Sequence, residues 1–286
     1  MISREEKTKT NLVGVVPIAG QPDVLGLTVP DYCANIGKNY TAIERSIIEC
    51  AYAGCSSIWV VANDDMIPLV KQIVGDYIVN PESYRSRGHV HHQNDHMKYI
   101  SVFYTQIHHR DRDRRDSLGW SALHGCLTAF KSSSRISSWL APKKYYISFP
   151  YGVYDPRLIK SSKKEIMCTK ENFFVSYEGL TVCSGLPLGF TIFPEDWKKI
   201  RSTLKQNCTG GSLSQPLHER WSSKDFSLDK IFKHDMINTG KKIKIKNFSE
   251  ISTWQNYLTA LSFLICKDEQ SPIIKGLRYE GIYSGK

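Results

Sequence analysis

Between Asn11 and Pro150 four short apolar runs alternate with three segments of helical periodicity, and that alternation admits few folds. "NLVGVVPIAG" is short, rich in Val and ends on Ala19-Gly20, the pattern of a buried strand. "NYTAIERSIIECAYAGC" places Ile43, Ile47, Ile48 and Ala51 on one helical face, with Gly54 as its stop. "SIWVVAN" is a second strand, and "DMIPLVKQIVGDY" a second helix with Asp64 or Asp65 near its start. "KYISVFYTQI", "LGWSALHGCLTAFKS" and "KKYYISFP" complete the series as strand, helix and strand. Strands this apolar, joined through helices, predict an α/β protein with a mostly parallel sheet covered on both faces.

After Asp155 the rhythm changes. "NFFVSYEGLTVCSGLPLGFTIF" holds two or three strands without helices between them, so the sheet is expected to become partly mixed. "PEDWKKIRSTLK" opens with Pro194 and acids and turns basic, as a helix does. "GKKIKIKNF" alternates like an exposed strand, and "STWQNYLTALSFLI" is a helix capped by Ser252 or Thr253. Residues 207–224 are polar and predict a mobile loop. The whole chain, 1–286, is expected to form one domain, with a first half at about 11–155 and a basic, mixed-sheet half at about 156–286.

The formal charge is +10, with Lys concentrated in "KSSKK", "WKKIRSTLK" and "GKKIKIK". Such runs either attract phosphates or form a solvated surface. None is interleaved with aromatics along the sequence, so nucleic acid is not the expected partner. The longest apolar run, "YLTALSFLIC", is about half a membrane span. The charged N-terminus has no signal-peptide core, and the Cys residues have no CxxC spacing. Reduced thiols in a cytoplasmic protein are expected, with no membrane contact.

Two polar clusters stand out. In "HHRDRDRRDS", Arg112, Arg114 and Arg115 could reach phosphates from a loop before the third helix, since guanidinium matches phosphate oxygens bidentately. Asp111 and Asp113 there could hold a metal, and the alternative is a self-neutralised salt-bridged loop. In "HVHHQNDHM", His89, His91, His92, Asp95 and His96 suit zinc or nickel, or form a solvated connector.

The order of elements, with four segments, resembles the sugar-phosphate nucleotidyltransferases, the pyrophosphorylase-like branch of the GT-A fold. These segments are "VGVVPIAG" with the following "NIGKNYTAIERSIIECAYAGCSSIWVV", "LGWSALHGCLTAF", "YYISFPYGVYDPRLI" and "SLDKIFKHDMINTGKKIKIKNFSEISTWQNYL". Ile36, Gly37, Ile43, Glu44, Arg45, Ala53 and Gly54 fall on the family pattern. The resemblance implies a single-domain, three-layer sandwich that binds a nucleotide or nucleotide sugar. It places Ala19, Gly20, Gly119 and Ser121 at the nucleotide, with Arg112, Arg114 and Arg115 as candidate phosphate contacts. Trp120 departs from the small residue of the family motif and either fills part of the base pocket or packs in the core. Two segments, "RDRRDSLGWSALHG" and "APKKYYISFPYGVYDP", also resemble proteins of tailed bacteriophages, which would place the chain in a host cytoplasm.

The departures concern the chemistry. The family loop carries an Arg in Gly-x-Gly-Thr-Arg and a Lys after a Pro. Here "GQPDVLGLTVPD" keeps Gly20, lacks the Arg and puts Asp31 in the place of the Lys. Of the two acidic residues that hold Mg²⁺ in the family, the first aligns with Tyr151 or Gly152, leaving Asp155. The second aligns with Glu250. Standard pyrophosphorylase chemistry is therefore expected to be lost or altered, with Mg²⁺ as the only cofactor the resemblance implies. The alternatives are a non-catalytic interaction protein on the same scaffold and a metal-dependent glycosyltransferase using Asp111 and Asp113.

Overall fold

The first strand lies near the middle of the sheet, because its residues are apolar on both faces. The computed structural model describes residues 11–21, 23–37, 39–81, 99–112, 117–168, 170–207, 227–233, 235, 237 and 240–265. In chain order these form β1 (Leu12–Pro17), β2 (Asn35–Gly37), β3 (Tyr40–Thr41), α1 (Ala42–Ala53), β4 (Ser57–Ala62) and α2 (Ile67–Val74). Next come β5 (Tyr77–Val79), β6 (Tyr99–Gln106), the short α3 (His109–Arg112), α4 (Leu118–Ile136), β7 (Lys144–Ile147) and β8 (Gly152–Val153). The remainder is α5 (Lys163–Cys168), β9 (Phe173–Ser176), β10 (Phe190–Ile192), α6 (Pro194–Asn207), α7 (Leu228–Ile231), β11 (Lys241–Lys244), β12 (Ser249–Glu250) and α8 (Trp254–Ile265).

Eight strands form one sheet in the order β11-β9-β10-β7-β1-β4-β6-β5. β7, β1, β4 and β6 run parallel, whereas β10 and β5 pair antiparallel with their neighbours. This is the mixed α/β architecture expected from the alternation, with β9, β10 and β11 from the later part of the chain continuing the same sheet. α1 covers one face, with Cys50 over Gly14, and α4 covers the other, with Gly125 against Val15 and Val61. Among the described residues no helix is long and apolar enough to cross a membrane.

Local signals account for the ends of several elements. Thr41 and Glu44 form a reciprocal capping box at the start of α1, and Gly54 closes that helix in the left-handed conformation. Thr253 Oγ1 accepts the Asn256 N–H at 3.2 Å and caps α8. The lysine-rich β11 is an edge strand, where exposed lysines discourage pairing with another chain. Three features escaped the sequence reading: the edge strand β5, the β2–β3 hairpin, and the antiparallel pairing of β8 with β12. Each of these strands has only two or three residues, too few to show a period. The polar stretch 207–224 lies, beyond Asn207, outside the described residues.

The core also contains charge. Arg45 and Glu49 are fully buried on α1, four residues apart, with their ion pair at 2.8 Å. Glu49 further accepts the hydroxyls of Tyr146 at 2.6 Å, Ser148 at 2.6 Å and Tyr154 at 2.5 Å. Arg45 donates to Phe149 O at 2.6 Å, and its guanidinium lies 4.5 Å from the Tyr154 ring centroid. Burial alone would push the Arg45 guanidinium down, but Glu49 and Tyr154 outweigh it and hold it above its ordinary value. Gly189, just before β10, closes the cage, since a Cβ there would lie 2.2 Å from Glu49 Oε1.

Breaking a buried pair from one side strands the other charge. Arg45→Met should lower the urea-unfolding free energy by about 3–5 kcal/mol. The Arg45→Met/Glu49→Leu double variant should recover part of that loss.

Lys144, on β7, is fully buried and donates to Glu171 O at 2.5 Å and Ile166 O at 3.2 Å. Burial, partly offset by the Glu171 carboxylate, pushes its ammonium down to about 8 from 10.5. Between these two values the unfolded chain holds a proton that the folded chain has released, so this group's contribution to stability rises with pH. Relative to Lys144→Met, the wild type should gain up to about 3 kcal/mol between pH 7.5 and 10.5, at ~1.4 kcal/mol per pH unit, in paired urea titrations.

Candidate functional site

The turn after β1 lies where the parallel strands end, the side on which open α/β sheets bind ligands. Ile18 and Ala19 N–H both donate to Val61 O, at 2.9 and 3.2 Å, which pins the turn to the end of β4. Ser117 caps α4 by accepting the Trp120 N–H at 3.2 Å. Ser121 Oγ lies 2.8 Å from Ala19 O and 3.0 Å from Ser117 O. Gly20 has φ +88°, and a Cβ there would lie 2.4 Å from Ser117 N, so the turn sits directly on the first turn of α4. Ala19, Gly20 and Ser121 are therefore brought together, and Gly119 on the same helical turn packs against Ile231 of α7.

Trp120 is fully buried and faces α6, with the Arg201 guanidinium 5.2 Å from its ring centroid. Arg112 ends α3, but its side chain lies outside the described residues, as do Asp113, Arg114 and Arg115 altogether. Asp111 is partly buried in α3, and its N–H donates to His108 O at 2.7 Å. The cluster of His89, His91, His92, Asp95 and His96 also lies outside the described residues.

The loop beyond Gly20 is closed by its own carboxylates. Asp31 is fully buried and accepts the Val24 N–H at 2.6 Å and the Leu25 N–H at 3.2 Å. Its own N–H donates to Asp23 Oδ1 at 2.9 Å. Backbone donors that an open loop could offer to an anion are thus occupied from within. The next residue, Tyr32, packs edge-on to Tyr151 at 6.5 Å between ring centroids. Burial raises the Tyr32 phenol first, and Cys33, Asp23 and Asp65 raise it further. Tyr151 is raised by burial and then by Tyr32, Asp23 and Asp31. Burial, Asp23 and Glu44 push the Cys33 thiol up to about 12, which removes it as a thiolate nucleophile near neutral pH.

The metal positions are equally altered. Tyr151 is buried and donates to Ile18 O at 3.3 Å, tying the turn before β8 to the β1 turn. Gly152 has no room for a side chain, because a Cβ would lie 2.0 Å from Pro187 O. Glu250 pairs with Gly152 across β12–β8, and Ile251 N–H donates to Tyr151 O at 2.7 Å. Burial raises the Glu250 carboxyl above its ordinary value. Asp155 is engaged by Arg157, whose Nε reaches Oδ1 at 2.9 Å and whose terminal nitrogen reaches Oδ2 at 2.8 Å. Among the described residues no three His, Cys, Asp or Glu are grouped to hold a metal ion. One half-buried Glu beside a Tyr, a Gly and an Arg-paired Asp does not fit a two-carboxylate Mg²⁺ site.

The chain has a nucleotidyltransferase-like fold. A protein of Bacillus anthracis named as a glucose-1-phosphate thymidylyltransferase, crystallised with sucrose, superposes with a TM-score of 0.54 at 8% identity. The match covers 91% of this chain and 96% of that one. A UDP-glucose pyrophosphorylase complexed with UDP-glucose matches with a TM-score of 0.47 at 10% identity, over 88% of this chain and 97% of that one. A Mycobacterium tuberculosis protein matches at 0.46 and 12%, over 89% and 99%. No protein-family model matches the sequence, and no curated protein does.

The sequence reading placed Asp31 in the loop but took it as a charge facing the phosphates. The eight-residue separation of Asp23 and Asp31 across a Gly/Pro loop was the available signal for a clasp. Asp31→Ala should leave the Val24 and Leu25 N–H groups without their acceptor and cost about 1–3 kcal/mol. Hydrogen exchange at those two amides should accelerate, while the amides of β1 change only with global stability.

Proposed function

We propose that this chain is a diverged nucleotidyltransferase-like protein that binds a nucleotide or nucleotide sugar, with standard pyrophosphorylase chemistry lost. The carrying observation is the self-closed loop. Joining a nucleoside triphosphate to a sugar phosphate depends on neutralising charge at the phosphates. Here Asp31 binds the loop N–H groups. Binding itself is supported by the turn of Ala19 and Gly20 against α4, at the strand ends where such folds take ligands. The binding reading needs no Mg²⁺, which agrees with the poor carboxylate set at Tyr151, Asp155 and Glu250.

A second reading, an interaction protein on the same scaffold, is favoured by one feature. Tyr77, Tyr99 and Phe103 are exposed on β5 and β6, and Trp59 stacks on Phe103 at 4.8 Å. The glycosyltransferase alternative needs Asp113 beside Asp111, and Asp113 lies outside the described residues.

Calorimetric titration with nucleoside triphosphates and nucleotide sugars, each with Mg²⁺ and with chelator, tests the proposal. At least one should bind, with affinity changing less than about threefold on Mg²⁺ removal, a difference under ~0.7 kcal/mol. No pyrophosphate should be released from any triphosphate supplied with a sugar 1-phosphate and Mg²⁺. Turnover would overturn the loss of chemistry, and silence across the panel would select the interaction protein.

A further inference from the structure

α4 ends at Ile136, and the chain turns sharply there. Ser137 is extended, donates its N–H to Ser133 O, and caps a single 3₁₀ turn, Ser138–Leu140, by accepting the Trp139 N–H at 3.3 Å. Leu140 N–H and Ala141 N–H close that turn on Ser137 O and Ser138 O, at 3.1 and 3.3 Å. Asn11, at the start of β1, fastens it to the sheet through Leu140 O at 2.8 Å and Lys143 N–H at 3.1 Å. The backbone is satisfied and held, yet the side chains it carries stand in water. Trp139 is 88% exposed and Ile136 77%, the two highest values for large hydrophobic residues among the described residues, and Leu140 adjoins them at 48%. Clustered apolar side chains held out in this way mark an interaction site. Lys131 and Arg135, one helical turn apart on α4, and Lys143 flank the knob and are exposed. None of the three forms an ion pair among the described residues. The sequence holds no Asp or Glu between Asp116 and Asp155.

We propose that this knob docks the protein on the surface of an anionic lipid bilayer. Ile136 and Leu140 enter the acyl boundary, and Trp139 lies at headgroup depth, where an indole finds both apolar contact and hydrogen-bond acceptors. The three cations face the lipid phosphates and carboxylates, each strengthening binding by roughly fivefold near an anionic leaflet. A protein partner is the poorer fit. Protein interfaces bury about 800 Å² per partner around anchors seated in pockets. A side chain as exposed as Trp139 has almost no neighbours to supply the rest of such a patch, whereas a fluid surface accommodates a convex knob. The mode is peripheral and needs no spanning helix, so the lack of a long apolar run, on which the expectation of no membrane contact rested, does not bear on it. In the sequence the three apolar residues are dispersed among serines, and the turn brings them to one tip. Ser117 begins α4 at the candidate nucleotide turn, and the knob is at the other end, about 28 Å along the helix. Docking therefore leaves that turn open to solvent, and the inference is independent of the nucleotide reading.

The test is co-sedimentation of the full chain with sucrose-loaded vesicles of phosphatidylcholine, with and without about 30% phosphatidylserine, in ~0.1 M salt. The protein should partition onto the anionic vesicles at least tenfold more strongly than onto the neutral ones, and salt should weaken that binding. Ile136→Ser/Trp139→Ser and Lys131→Ser/Lys143→Ser should each weaken it at least tenfold, with the thermal midpoint kept because all four side chains are exposed. Lys244→Ser/Lys246→Ser, which removes the same charge on and after β11, should stay within about twofold of wild type, as should Trp254→Ser on α8. Trp139→Phe should still bind within about threefold but lose the quenching by bromine-labelled acyl chains expected of the wild type. Four results would each overturn the proposal: no sedimentation with anionic vesicles, equal losses in the β11 or α8 controls, quenching that survives Trp139→Phe, or a dimer in sedimentation velocity that Ile136→Ser/Trp139→Ser converts to monomer. The last would assign the knob to a second copy of the chain.

Discussion

Glu49 is a fully buried carboxylate, and much of the architecture follows from how that charge is satisfied. It lies on α1 and needs donors from every direction. Arg45 supplies one from the same helix, Tyr146 and Ser148 come from β7 and its end, and Tyr154 comes from the segment after β8. Gly189, before β10, must lack a side chain for the cage to close. Three stretches of sequence are thus committed to one point, which fixes α1 against the strands flanking the candidate site. Such pairs are weak sources of net stability. What this one supplies is register, because a shifted β7 would leave a buried charge without donors.

The same principle operates at the surface turn beside it. Asp31 is buried by the loop it organises, and the loop N–H groups satisfy it. A loop that binds a triphosphate needs those donors open and cations nearby. A loop that binds its own Asp needs neither, and it keeps its shape without a ligand. Tyr151 extends the logic by filling, with a phenol bonded to Ile18 O, the position where the family resemblance expects a metal-binding acid. The nucleotidyltransferase-like fold is present, and at these positions internal hydrogen bonds stand where the resemblance expects phosphate- and metal-binding charges.

The fold was legible because its long elements carry strong periods. The runs at β1, β4, β6 and β7 and the helices α1 and α4 could each be placed from apolar spacing alone. The short pairings could not, and they matter at the site: β8–β12 is what sets Glu250 opposite Gly152. Asp31 illustrates a different limit. Its position was readable and its partners were not, since whether a carboxylate faces outward or accepts backbone N–H groups depends on a turn that sequence does not specify. Likewise Arg45 and Glu49 read as the polar side of an amphipathic helix, and only packing shows that this side is buried.

The excess of positive charge can then be understood by where it falls. None is placed at the loop between Gly20 and Asp31, where the resemblance expects it. Part is spent on β11, whose lysines guard a sheet edge and which pairs Lys241 with Glu165 at 3.3 Å. Another part lies on α6, where Lys198 Nζ is 4.1 Å from the Phe130 ring centroid and the Arg201 guanidinium 5.2 Å from that of Trp120. The positive charge thus falls away from the loop between Gly20 and Asp31, whose buried carboxylate is satisfied by the loop's own N–H groups.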